Sequence, residues 1–199
     1  YKISVPTGSG KTLSMLRFAL DKAQKHNKKR IIFIIPLLSV LEQNSEVIKG
    51  SLKNPEAVLE HHSNILKTNM TEDTLDKYEL LTETWDSPII ISTLVQFLNT
   101  LFTSKTSDVW RMQSLCESVI VIDEAQDVPL KMINLFNMAI NFISYVCSSI
   151  VVLSTATLPC FDDVKRKMLL SPNADIVPYD SKLWAVFKRT EIKYDKGLS

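Results

Sequence analysis

Residues 5–12 read Val-Pro-Thr-Gly-Ser-Gly-Lys-Thr, and this stretch decides the fold. It follows a short apolar run and precedes an amphipathic segment, so it predicts a strand, a glycine-rich loop and a helix that begins at Lys11. Two of the chain's four glycines, Gly8 and Gly10, lie here, where backbone N–H groups can approach a ligand closely. The stretch is typical of a phosphate-binding loop, although the strict pattern has glycine in place of Val5.

In a loop of this kind the side chains bind ATP and Mg²⁺. Lys11 reaches the β- and γ-phosphates, the Thr12 hydroxyl binds Mg²⁺, and the positive end of the helix dipole faces the phosphates. The predicted nucleotide contacts are Thr7, Gly8, Ser9, Gly10, Lys11 and Thr12. The alternative is an ordinary Gly/Ser turn before a helix. We expect replacement of Lys11 by Ala to abolish nucleotide binding or turnover and to leave the fold intact, because an exposed loop lysine contributes little to the core.

Composition limits the class of protein. A chain of 199 residues fits one domain, or one lobe of a larger protein, and its start at Tyr1 without methionine indicates an excised piece. The net charge is +1, so any contact with nucleic acid has to be local. Three widely spaced cysteines fit neither a disulfide framework nor a zinc motif, which favours a reducing, cytoplasmic setting. Residues 128–146 are apolar but interrupted by polar side chains, so we predict a buried helix there and no membrane segment.

Apolar runs alternate with helical segments along the chain. This alternation predicts an α/β fold, a doubly wound and mainly parallel sheet with helices on both faces. The predicted strands cover residues 3–5, 31–35, 58–60, 89–91, 119–122 and 150–153, with 176–177 a candidate to close the sheet. Residues 104–108 are predicted to form an exposed loop, because their polar side chains offer nothing to bury. In such sheets ligands gather beyond the carboxyl ends of the strands, and the polar clusters of this chain fall there.

Asp123 and Glu124 directly follow the predicted strand 119–122. A carboxylate at this strand end can complete a Mg²⁺ site with Thr12, so Thr12 and Asp123 are the predicted metal ligands. Glu124 is placed to orient or deprotonate the attacking water, which makes it a predicted catalytic residue together with Lys11. The alternative is an acidic pair that only caps the next helix. Two carboxylates at the end of a buried strand are costly to leave unneutralised, which favours the catalytic interpretation.

Three segments, in this order, resemble motifs I, II and III of superfamily 2 helicases. They are residues 5–12, residues 123–126 (Asp-Glu-Ala-Gln) and residues 154–157 (Ser-Thr-Ala-Thr). Further stretches, 35–43, 60–64 and 92–97, are similar to those of the CRISPR-associated type I helicase-nuclease, the Cas helicase. DEAD-box RNA helicases are less similar, because motif II ends here in Gln126 instead of aspartate and two signatures of that family are absent.

The resemblance implies a RecA-like P-loop NTPase lobe that uses ATP and Mg²⁺ to move on single-stranded DNA, after a guide-RNA surveillance complex has opened the target. Residues 1–199 would be one N-terminal motor lobe, and the second RecA-like lobe and the His-Asp nuclease domain would lie outside this chain. Motif II adds Gln126 to the catalytic residues. The residues implied to couple the nucleotide to DNA movement are Gln126, Ser154, Thr155 and Thr157. Those implied to line the DNA path are Pro36, Leu37, Ser39, His62, Ser63, Ser92, Thr93 and Gln96.

Other interpretations of the same residues stay open. The DNA-path residues can equally be ordinary helix caps after strands, and 154–157 can be a polar turn. The chain can also be the lobe of an RNA helicase from another superfamily 2 branch, or a nucleotide-gated binding module without turnover. Glu124 favours catalysis, because a protein that only binds nucleotide needs Lys11 and Thr12 but no water-activating carboxylate.

Overall fold

The computed structural model describes residues 1–5, 10–63, 71–103, 105–155, 164–178 and 186, with no description of the side chains of residues 106 and 107. Six strands and six α-helices lie in these ranges. The strands are β1 (Lys2–Ser4), β2 (Arg30–Ile35), β3 (Val58–His61), β4 (Ile89–Thr93), β5 (Ser118–Ile122) and β6 (Ile150–Thr155). The helices are α1 (Lys11–Lys25), α2 (Leu38–Ser51), α3 (Glu72–Thr84), α4 (Leu94–Phe102), α5 (Thr106–Ser114) and α6 (Ile133–Tyr145).

The strands form one sheet in the order β1-β6-β5-β2-β4-β3, and every neighbouring pair is parallel. The central strands are continuous β-branched runs because both of their faces are buried. Ile32 and Ile34 enter a core with α4 and α6, whereas Ile31 and Phe33 enter a second core with α1 and α2. The predicted doubly wound sheet with helices on both faces is therefore confirmed, and in the described residues it is wholly parallel.

All six strands end at the same edge of the sheet, which we call the carboxyl edge. Its near half consists of the ends of β1, β6 and β5, and its far half consists of the ends of β2, β4 and β3. Motifs I, II and III lie at or directly after the ends of near-half strands, and the predicted DNA-path residues lie at or directly after the ends of far-half strands. Helix α2 follows β2, which is the first strand of the far half and pairs with β5 of the near half.

The prediction of an exposed loop over 104–108 is wrong, because α5 begins at Thr106. Asp108 is only 6% exposed and forms an ion pair with Arg111, one helical turn further on. The guanidinium of Arg111 also lies 5.9 Å from the ring centroid of the buried Trp85. Charged side chains can therefore be buried here, since each neutralises the other against an aromatic surface.

The segment 128–146 also differs from its prediction. Two 3₁₀ turns, Ala125–Asp127 and Leu130–Met132, precede α6, and only one face of α6 is buried. Phe136 is fully buried, whereas Tyr145 is 70% exposed. Within the described ranges, no helix has the length and apolar character needed to span a bilayer.

Residues 176–177 add no strand to the described sheet. The backbone N–H of Ile176 donates to the carbonyl of Lys2 at 2.9 Å, and Lys2 forms a single parallel bridge with Asp175. This segment therefore touches the outer side of β1 without extending the sheet as a strand.

Candidate active site

Helix α1 begins at Lys11, as predicted, directly after Gly10. Gly10 has a φ of 77°, a left-handed conformation that glycine adopts without the steric penalty of a Cβ. Among the residues that the structure describes, no side chain caps the start of α1, and the first turn of α1 contains no acidic residue. Its first N–H groups and the positive end of its dipole therefore face an anion-binding position. Thr7, Gly8 and Ser9 of the predicted loop lie outside the described residues.

Lys11 connects the start of α1 to both acidic residues that follow β5. Its Nζ lies 2.9 Å from Asp123 Oδ1 and forms a short ion pair with Glu124 Oε1. The side chains of Lys11 and Asp123 are only 11% and 3% exposed. The description of Lys11 as an exposed loop lysine is therefore wrong: it begins a helix and neutralises two carboxylates.

The ionisation of this cluster is set by its charges. Burial works to lower the pKa of Lys11, but the charges and hydrogen bonds of Asp123 and Glu124 outweigh it, and the pKa is raised. Burial likewise works to raise the pKa of Glu124, but hydrogen bonds from Lys11 and Gln126 and the charge of Lys11 lower it. Lys11 and Glu124 are therefore both charged at neutral pH.

A strained turn brings the two carboxylates together. Glu124 has φ 46° and ψ 50°, a left-handed conformation that costs a non-glycine residue about 1–2 kcal/mol. The turn lets the backbone N–H of Glu124 donate to Asp123 Oδ1 at 3.0 Å. Both side chains then face Lys11. Strain of this kind is kept where the surrounding contacts determine the conformation, as they do in this cluster.

Asn44 of α2 is a member of the site that sequence reasoning missed. Its Oδ1 accepts a hydrogen bond from Thr12 Oγ1 at 3.0 Å, and its Nδ2 donates to Asp123 Oδ2 at 3.4 Å. The signal was present in the helical spacing, because Asn44 lies between Leu41 and Ile48 on the buried face of α2. A polar residue on an apolar helix face needs a partner, and here it has two.

Gln126 and Thr155 continue the hydrogen-bonded chain away from Lys11. Gln126 Nε2 donates to Glu124 Oε2 at 2.5 Å, and Thr155 Oγ1 donates to Gln126 Oε1 at 2.7 Å. Motif II and the first part of motif III are thereby in direct contact. Ser154 is fully buried, and its hydroxyl has no hydrogen-bond partner among the described residues. Thr157 lies outside them.

A cleft of about 630 Å³ opens beside this cluster, within the size range of small-molecule sites. It lies between the start of α1, the turn after β5 and one face of α2. The oxygens of Thr12 and Asp123 are hard ligands, and a Mg²⁺ site in a protein needs only one or two carboxylates. The donor set therefore fits Mg²⁺. Among the described residues, no group of three or more His, Cys, Asp or Glu side chains is arranged to hold a metal ion.

The loop between β2 and α2, together with the first turn of α2, holds three predicted DNA-path residues. Leu37 is 53% exposed, Ser39 is exposed, and Pro36 is partly buried. Leu37 also lines the cleft beside Lys11. This loop is therefore accessible from solvent and adjoins the cluster around Asp123.

The predicted DNA-path residues after β4 lie at the start of α4. Thr93 caps α4 by accepting from the backbone N–H of Gln96 at 3.3 Å, and Gln96 Oε1 accepts from Arg111 Nη1 at 3.2 Å. Ser92 is fully buried and donates to the carbonyl of His61 at 2.8 Å. Its hydroxyl joins β4 to β3 and does not reach the surface.

The remaining two DNA-path residues follow β3. Ser63 is exposed, whereas His62 is only 9% exposed, with Nε2 3.6 Å from Glu60 Oε2. All eight predicted residues lie at or just beyond the far half of the carboxyl edge, but Ser92 and His62 face inward. Their role in binding nucleic acid stays a prediction.

The segment from β1 to beyond β6 matches a known family model. The model is described as DEAD/DEAH box helicase, and it covers residues 2–166. The chain belongs to the DEAD/DEAH box helicase family. The arrangement of Lys11, Asp123 and Glu124 at one sheet edge is thus part of a helicase domain. No curated protein matches the chain significantly.

Solved structures share the fold of this helicase domain. Cas3 from T. fusca has a TM-score of 0.66 and 22% identity over 79% of this chain and 18% of its own, and its ATP complex has a TM-score of 0.64 at the same identity and coverage. A structure titled CRISPR RNA-guided surveillance complex, pre-nicking, has a TM-score of 0.54 and 20% identity, over 79% of this chain and 16% of the other.

A further similar structure comes from another helicase. The DUF1998 helicase MrfA bound to DNA and AMPPNP has a TM-score of 0.54 and 13% identity, over 80% of this chain and 22% of its own. Identities this low establish the fold and nothing finer. This helicase domain spans about a fifth of the length of these relatives or less.

Proposed function

We propose that this helicase domain is the ATP-binding and ATP-hydrolysing N-terminal motor lobe of a CRISPR interference helicase, that residues 1–199 form one RecA-like domain, and that it acts on single-stranded DNA. The observation that carries the proposal is the contact of Lys11 Nζ with both Asp123 and Glu124. Lys11 reaches both carboxylates from the start of α1, where an anion is favoured.

The geometry supports a division of labour in hydrolysis. Thr12 and Asp123 would hold Mg²⁺, which supplies positive charge to the phosphates during phosphoryl transfer. Lys11, now held by carboxylates, would turn to the phosphate oxygens. Glu124 would then be free to accept the proton of the attacking water, and Gln126, which donates to its second oxygen, would hold its orientation.

The proposal of single-stranded DNA as substrate rests on the far half of the carboxyl edge. Leu37, Ser39, Thr93 and Gln96 lie at helix starts there, and hydroxyls and backbone N–H groups at helix starts suit contacts to phosphates. The resemblance of 35–43 and 92–97 to the Cas helicase supports the same reading, as does the likeness to Cas3 and to DNA-bound MrfA. In the parent protein we expect a second RecA-like lobe, a His-Asp nuclease domain, a guide-RNA surveillance complex as partner and a cytoplasmic location.

The test replaces glutamate by glutamine at either end of β5, in the full-length protein. Glu124→Gln keeps the shape of the side chain but cannot accept a proton, so ATP hydrolysis should fall by about 10²–10⁴-fold while ATP binding persists. The matched control is Glu117→Gln. Glu117 directly precedes β5, shares the positive φ of Glu124 and pairs with Lys29 at the opposite edge of the sheet.

Three outcomes separate the candidate functions. Normal hydrolysis by Glu124→Gln removes Glu124 from catalysis. ATP binding by the wild-type protein with no hydrolysis, with or without nucleic acid, indicates a nucleotide-gated binding module. Stimulation by single-stranded RNA but not by DNA of the same sequence indicates an RNA helicase. The Glu117→Gln protein should match the wild type throughout.

A further inference from the structure

Asn44 bridges the two residues that are proposed to hold Mg²⁺. It accepts from Thr12 Oγ1 at 3.0 Å and donates to Asp123 Oδ2 at 3.4 Å. Asn44 is 8% exposed and Asp123 is 3% exposed, so solvent does not readily replace either contact. A cation bound by Thr12 and Asp123 would be coordinated by oxygens of the same two side chains that hydrogen-bond the Asn44 amide. The position of the Asn44 side chain therefore depends on whether those oxygens face a cation.

The next residue of α2 is attached to a different strand. Ser45 Oγ donates to Glu60 Oε1 at 2.7 Å, and Lys49 Nζ, one turn further on, pairs with the same carboxylate. Glu60 lies on β3, and its other oxygen is 3.6 Å from His62 Nε2. Burial works to raise the pKa of Glu60, but Lys49 and Ser45 lower it, so the carboxylate is charged and holds both contacts.

Helix α2 is thus attached to both halves of the carboxyl edge through adjacent residues. Asn44 contacts the near half, and Ser45 contacts the far half, where the predicted DNA-path residues lie. A helix is stiff over two residues, so a displacement at Asn44 moves Ser45 with it. The start of the same helix contains the exposed Ser39 and follows the exposed Leu37.

We propose that Asn44 is a positioning residue that transmits Mg²⁺-nucleotide binding at Thr12 and Asp123 to α2, and through Ser45 and Lys49 to the end of β3. This inference rests on the proposed function, because it needs a nucleotide and Mg²⁺ at the near half. It adds a route between the two halves that is distinct from the contact of Gln126 with Thr155. Asn44 acts through its neighbours and does not react.

The test is amide hydrogen exchange of the full-length protein, with AMPPNP and Mg²⁺ or with AMPPNP and EDTA. With Mg²⁺, exchange should slow at the start of α1 and, by about fivefold, at residues 58–63. With EDTA, only the start of α1 should respond. In Asn44→Ala at saturating nucleotide, the response at α1 should persist and the response at 58–63 should be lost. The matched control is Glu46→Ala, an exposed position of the same helix, which should behave as wild type.

A second variant, Ser45→Ala, removes the hydrogen bond from α2 to Glu60 of β3 and leaves Asn44 in place. It should weaken the response at 58–63 without changing the Mg²⁺ concentration that gives half-maximal slowing at α1. The inference is overturned if 58–63 does not respond in the wild type, or still responds fully in both variants. It is also overturned if Asn44→Ala loses the response at α1, since Asn44 would then belong to the nucleotide site itself. No response of α1 in the wild type would instead contradict the proposed function.

Discussion

Thr155 Oγ1 donates a hydrogen bond of 2.7 Å to Oε1 of Gln126, and this contact joins the end of β6 to the turn after β5. Gln126 passes the contact on, because its Nε2 donates to Glu124. The side chain proposed to activate water is therefore held in place from a neighbouring strand. A displacement of β6 would therefore change the position of the Glu124 carboxylate through these two hydrogen bonds.

Removal of the Thr155 hydroxyl should separate nucleotide binding from turnover. Thr155→Val preserves the shape of the side chain but leaves Gln126 Oε1 without this donor, which costs about 1–3 kcal/mol. We expect unchanged ATP affinity and a fall of about tenfold in the nucleic-acid-stimulated ATPase rate of the full-length protein. Thr82→Val is the control, because Thr82 is also buried but donates only to Glu79 O in α3. A loss of ATP affinity in Thr155→Val would place Thr155 in the nucleotide site.

Replacement of Lys11 should affect stability as well as binding. Lys11→Met leaves Asp123 and Glu124 side by side without a cation, so the nucleotide-free domain should lose about 3 kcal/mol of unfolding free energy. Mg²⁺ should restore part of this loss, because it supplies a replacement charge. Urea unfolding with and without Mg²⁺ measures both effects. Lys25→Met, in an exposed pair with Asp21 on the same helix, should cost less than about 1 kcal/mol. Equal stability of Lys11→Met and wild type would contradict the prediction.

His61 should make the domain less stable between pH 6.5 and pH 4. Burial and the charge of Arg111 lower the pKa of His61 from 6.5 to about 4, and its Nδ1 accepts from Trp85 Nε1 at 2.9 Å. The charge of His62 lowers this pKa further, whereas that of Asp108 raises it. As the pH falls from 6.5, the imidazole of His61 binds a proton in the unfolded chain but stays neutral in the folded chain. Stability is therefore full above pH 6.5, and about 3 kcal/mol of it is lost by pH 4.

The contribution of His61 is measured by difference. His61→Asn retains an acceptor for Trp85 but cannot titrate, so its unfolding free energy should fall less than that of the wild type between pH 7 and pH 4.5. His26→Asn is the control, because His26 is exposed, and it should follow the wild-type profile. Parallel profiles for His61→Asn and wild type would exclude His61 as the titrating group.

Neutralising one partner of the α5 ion pair should lower the free energy of unfolding strongly, whereas replacing both partners by apolar residues should lower it little. Asp108→Asn leaves the buried guanidinium of Arg111 unneutralised, which should cost about 3–5 kcal/mol of unfolding free energy. The double variant Asp108→Leu, Arg111→Met removes both charges and should recover most of that loss. Asp86→Asn is the control, since Asp86 is 79% exposed in its pair with Arg30. An Asp108→Asn protein as stable as wild type would contradict burial of the pair.

The strands and the motif positions were predictable because their signals are local. A run of β-branched residues such as 119–122 is typical of a buried strand. A polar cluster that directly follows such a strand lies at the carboxyl edge of a parallel sheet. This rule predicted that Lys11, Asp123 and Glu124 would lie at the same sheet edge, but it did not predict the ion pairs of Lys11 with both carboxylates.

Asn44 and Asp108 were missed for a shared physical reason. The partners of Asn44 lie 32 and 79 residues away in the chain, so its burial is satisfied only by the folded sheet. Arg111 is only three residues from Asp108, but the aromatic surface against which their pair is buried is Trp85, which is distant in the chain. A polar residue is assigned to the surface when its partners are unknown, and long-range partners cannot be read from local spacing.

The pairing of β1 with β6 governs the order in which the domain can be assembled on the ribosome. Ile3 lies opposite Ser154, so the first strand has no neighbour in the sheet until about 150 further residues have been made. At ordinary rates of synthesis this takes roughly 8 to 30 s. During that interval β1 stays outside the growing sheet. Within this domain, the edge strand that leads to Lys11 is therefore made first and is paired last.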